Sequence, residues 1–83
     1  MKLSYNRIME IDDLIHVYCT YHQIPYKKTL NREFINVQVA TRQQAESLQE
    51  FIKARVPLKC LNNENVFDIY KDVDDKYRLS LIA

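Results

Sequence analysis

The 83 residues, 47% of them apolar, hold material for one small α+β domain and leave no room for two. Ile, Leu, Val, Phe and Tyr recur throughout, which argues against disorder. No apolar run nears the ~20 residues that span a bilayer, and the basic start (1–7) lacks the apolar stretch of a secretory leader. Glycine is absent where roughly six would be expected, which removes the P-loop, the dinucleotide-binding fingerprint, the Gly-rich kinase loop and the Gly-x-Ser-x-Gly elbow together.

The first predicted element is a helix over 5–22. Ile8, Ile11, Ile15 and Tyr18 step by three and four, Leu14 and Tyr21 widen the stripe, and Asp12, Asp13, His16 and Thr20 fall on the other side. Ser4 or Asn6 suits its start, and Ile24-Pro25 ends it, because proline disfavours helical geometry in the residue before it. Weak alternation over 3–11 leaves room for a short opening strand.

Two strands are predicted next, over 26–30 and 33–40, joined at Asn31-Arg32. In the second, Ile35, Val37 and Val39 alternate with Phe34, Asn36 and Gln38. Thr41-Arg42-Gln43-Gln44 then reads as a capping box, and Ala45, Leu48, Ile52 and Val56 continue a helical period that Pro57 stops. Short strands are expected over 58–61, 66–73 and 77–82, with turns at 62–65 and at Asp74-Asp75. Without glycine, turn duty falls on Asn and Asp, which tolerate the left-handed region best.

The expected order is α-β-β-α-β-β-β, with both helices on one face of a mostly antiparallel sheet. If the opening strand is real, the first two-thirds reads βαββαβ, a ferredoxin-like order followed by a C-terminal hairpin.

Chemistry-bearing patterns are sparse. His16-x-x-Cys19-x-x-His22 has metal-ligand residue types, but a tetrahedral site needs a fourth ligand, for which Cys60 is the one other cysteine. The placement of His22 on the apolar stripe and His16 on the polar side is also what ordinary helix packing gives. Both cysteines are expected to be buried free thiols in a cytoplasmic chain (host cytoplasm if the source is viral). Asp12 and Asp13 point about 100° apart on a helix and make no carboxylate pair, and Asp72, Asp74 and Asp75 suit a turn. We therefore expect no enzyme, no cofactor and no metal.

The charges are unevenly spread. Seven of the 12 bases but three of the 11 acids lie between Tyr26 and Lys59. Tyr26, Lys27, Lys28 and Arg32 set a ring beside bases on a hairpin, with Arg42, Lys53, Arg55 and Lys59 as further candidates for partner or RNA contact. The near-neutral net charge of +1 is far from that of most nucleic-acid modules. Six tyrosines add interface-prone area, with Tyr18 and Tyr21 assigned to the core and Tyr5, Tyr26, Tyr70 and Tyr77 to partner contact.

A weakly charged last strand suggests an exposed edge and a homodimer through it or through an apolar helix shoulder. The composition favours Ile, Lys, Asn, Tyr and Phe over Gly, Ala, Arg and Pro, as AT-rich coding sequences do. The expected function is a small non-enzymatic binding protein, a phage-like accessory regulator or inhibitor of a host protein or defence complex. The alternative is an RNA-binding module or RNA-dependent inhibitor using the basic hairpin 26–32.

Overall fold

Apolar residues three and four apart make α1 (Tyr5–Tyr21) a one-sided helix, and the computed structural model, which describes residues 5–31, 34–56 and 66–82, shows which side is covered. Ile8, Ile11, Ile15 and Cys19 form the buried stripe, so it turns onto Cys19 where the spacing predicts Tyr18. Tyr18 is half-buried at its edge. Tyr21 corrects the expectation of a core residue: it is 81% exposed. His22, expected on the apolar stripe, is exposed too, its ring 4.3 Å from that of Tyr18.

β1 (Lys27–Leu30) and β2 (Phe34–Val39) form the expected antiparallel hairpin, with Lys27 opposite Gln38 and Leu30 opposite Ile35. Thr41 then caps α2 (Arg42–Arg55): its Oγ1 accepts from Gln44 N at 3.1 Å. The Gln44 side chain reaches back one residue further than a standard capping box, accepting from Ala40 N. Ala45, Leu48 and Ile52 are fully buried along α2.

β3 (Val66–Lys71) and β4 (Tyr77–Ile82) are a second antiparallel hairpin around a short 3-10 turn (Val73–Asp75). Asp74 and Asp75 hold φ of 59° and 58° there, and Gln23 holds 55° after α1. Among the described residues positive φ thus falls on two aspartates and a glutamine, in a chain that has no glycine to offer.

Among the described residues the architecture is two helices on one face of a four-stranded, fully antiparallel sheet in the order β1-β2-β4-β3. Ile11 and Ile15 of α1 and Ile52 of α2 meet Ile35, Val37, Leu79 and Leu81 on the covered side. Gln49 fixes α2 to β3 by donating to the Phe67 carbonyl at 2.8 Å.

The arrangement revises two topological expectations. The 77–82 strand is no edge: β4 pairs with β2 on one side and β3 on the other, so the edge-to-edge dimer argued from it loses its basis. The place beside β2 that an opening strand would take in a ferredoxin-like sheet is held by β4. The proposed strand 58–61, the turn 62–65 and the opening residues 1–4 lie outside the described residues.

Candidate functional site

Strand alternation sends every second residue away from the helices, and the pairing register sorts these residues into rows across the sheet. Phe34 lies opposite Ile82. One step along, Thr29, Asn36, Ser80 and Asp68 line up from β1 to β3. The next row is Lys27, Gln38, Arg78 and Tyr70. The outer face therefore carries an apolar row, a row of short polar side chains and a row of long ones.

Short side chains between long ones make a trough. Its apolar end is a hollow of about 440 Å³ lined by Phe34, Asn36, Tyr70, Arg78, Ser80 and Ile82. Its polar end, about 230 Å³, lies between Lys27, Thr29, Gln38, Asp72 and Arg78, with Asn36 shared by both. Tyr70 and Ile82 are 46% and 45% exposed, so large apolar surface stands open at this face.

Two features of the floor are unusual for a merely solvated surface. Ser80 is buried at 8% exposure although it points away from the helices. Asn36 Oδ1 is shut off from solvent and accepts from no group among the described residues. A buried acceptor without a donor costs about 1–3 kcal/mol, and valine or threonine would suit this strand position without that cost.

The charges on the face cancel. Asp72 accepts from the Arg78 guanidinium at two points, from Gln38 Nε2 and from Val73 N. The Arg78 hydrogen bond, then the Val73 N–H and Gln38, lower the Asp72 pKa to about 2. Lys27 and Asp68 stand at opposite edges.

The residues nominated from sequence do not gather on this face. Lys27 does lie on it. Lys28 points the other way and pairs with Asp12 of α1. Tyr26 is half-buried against the core, its hydroxyl 3.2 Å from His16 Nδ1. Arg42 pairs with Glu46 at the start of α2, while Lys53 and Arg55 occupy its last turn, roughly 16–20 Å away along the axis. Arg55 lies over the Phe51 ring, 3.6 Å from its centroid. Arg32 and Lys59 are outside the described residues. Of the tyrosines assigned to partner contact, Tyr5 and Tyr70 are exposed, whereas Tyr77 joins Tyr26 at the core margin.

His16, Cys19 and His22 diverge: the thiol is buried in the core while both imidazoles are exposed. Burial pushes the Cys19 thiol pKa up, which favours the unreactive protonated form. No group of three or more His, Cys, Asp or Glu side chains among the described residues is placed to hold a metal ion. No helix among them is long and apolar enough to cross a membrane.

Sequence reasoning missed Phe34, Asn36, Tyr70, Arg78, Ser80 and Ile82 as one surface. A signal was present: Phe34, Tyr70 and Ile82 are large apolar residues on the wet side of their strands' alternation. Comparison with protein-family models, with curated proteins and with solved structures returns no match.

Proposed function

We propose that the chain is a small non-enzymatic binding protein whose contact surface for another protein is the uncovered sheet face. The observation that supports this most is the combination of exposed Tyr70 and Ile82 and half-buried Phe34 with an Arg78–Asp72 pair already satisfied in place. Apolar and aromatic area framed by satisfied polar groups is the make-up of protein contact surfaces. Within that class, the AT-rich character of the composition fits an accessory regulator or inhibitor acting on a host protein or defence complex in the cytoplasm.

The RNA reading draws less support. It needs bases and rings on one surface, and among the described residues Lys28 is engaged with Asp12 while Arg42 lies far along α2 from Lys53 and Arg55. Affinity capture from lysate, with and without nuclease, separates the two. We expect specific capture that survives nuclease and is lost in a Tyr70→Ala, Ile82→Ser double variant. Capture that nuclease abolishes, or that the double variant retains, refutes the proposal.

A further inference from the structure

The open face has a direction. Its floor of Thr29, Asn36 and Ser80 runs across the strands, with Phe34 and Ile82 forming one bank and Gln38 and Arg78 the other. Four strands give the trough a length of ~14 Å, and the banks, four residues apart along β2, stand ~13 Å apart. Those dimensions suit one extended chain with its side chains.

We infer that the trough seats a short peptide segment of a partner, lying across the strands, with an aromatic or branched side chain against Phe34 and Ile82 and an N–H donated to Asn36 Oδ1. This deepens the proposed function and rests on it.

Three observations select that occupant. The described part of the face offers roughly half of the ~20–30 residues a side of a standard globular interface, so it fits a segment better than a second folded surface. Its charges offer a polyanion little gain, because Arg78 already holds Asp72 and the face adds one base, Lys27, and one acid, Asp68, at its opposite edges. The unmet group is an acceptor, and a peptide carries an N–H donor on nearly every residue. The Asn36 side chain lines both hollows, so a donor seated in the trough lies beside its amide.

The test uses the full chain, a displayed library of random 12-residue peptides, and two variants, Asn36→Val and Ile82→Ser. We expect enriched peptides to share an aromatic or branched apolar residue and to perturb the backbone amide signals of β2 and β4. Asn36→Val should weaken them about tenfold or more while melting no lower than the parent, as removal of an unsatisfied acceptor requires. Ile82→Ser, at an exposed position, should weaken them as well.

Peptides indifferent to both variants overturn the inference, as does a failure to enrich any over the Asn36→Val protein. A ten-residue oligouridine that perturbs the same amides also overturns it, in favour of nucleic acid. The protein-binding reading has its own check in the nuclease-resistant capture, so a negative library result beside a positive capture removes the peptide and leaves the binding surface.

Discussion

Arg78 and Asp72 grip each other at two points across the β3–β4 turn, Nε to Oδ2 at 3.2 Å and Nη2 to Oδ1 at 3.0 Å. Asp72 also accepts from Gln38 at 3.0 Å, so one carboxylate links the turn to both β4 and β2.

That arrangement fixes a pH dependence. The Asp72 carboxyl lies at about 2 when folded, below its ordinary 3.8. A lowered folded pKa means that its stabilising contribution is full above about pH 4 and is lost as pH falls towards 2. Melting temperatures measured from pH 6 to pH 2 should show the gap between the parent and Asp72→Asn narrowing across that window. A gap that stays constant would show that the carboxylate charge does not support the turn.

The Thr41 cap is the second point of control. Thr41→Ala leaves the Gln44 N–H without its acceptor and should cost about 1 kcal/mol, a fall of about 4–8 °C in melting temperature for a domain of this size. Thr41→Ser keeps the oxygen and should retain most of the stability. Equal losses in both variants would place the effect in the Thr methyl group.

How far the sequence could be read shows in which of these features it announced. Thr41, Gln44 and the helical periods behind them are local patterns, and the structure keeps them almost unchanged. Alternation in β2, β3 and β4 also separated covered from uncovered residues, because side-chain direction along a strand is a local property. Which strands become neighbours is not local, so the central position of β4 left no mark. Lys27-Lys28-Thr29-Leu30 has almost no alternation, which hid that Lys28 would turn towards Asp12. The trough was illegible for a related reason: its residues come from strands whose register is set by tertiary pairing.

Helix α1 offers a paired test of burial. Ile11 is 1% exposed and Val17 55%. Ile11→Ala should cost about 2–5 kcal/mol, through lost apolar transfer and the cavity left behind. Val17→Ala should stay within about 0.5 kcal/mol. Chemical denaturation of both variants checks the difference, and comparable losses would mean that the stripe is drawn on the wrong side.

Cys19 should resist modification in the folded state, since burial raises its pKa and hides the sulfur. In a Cys60→Ser background, so that one thiol reports, iodoacetamide at pH 8 should label the protein slowly until denaturant is added. Rapid labelling under native conditions would show that the C-terminal half of α1 opens easily.

The place of β4 has a bearing on how the molecule is made. Phe34 finds its partner in Ile82, across most of the described chain, so β2 must wait for nearly all of it to leave the ribosome before its second side is paired. Until then β2 has one side without a strand partner, and Leu79 and Leu81 are missing from the core beside Ile35 and Val37. Shortening translation time or supplying a holdase during synthesis should therefore affect the yield of folded protein more than its final stability.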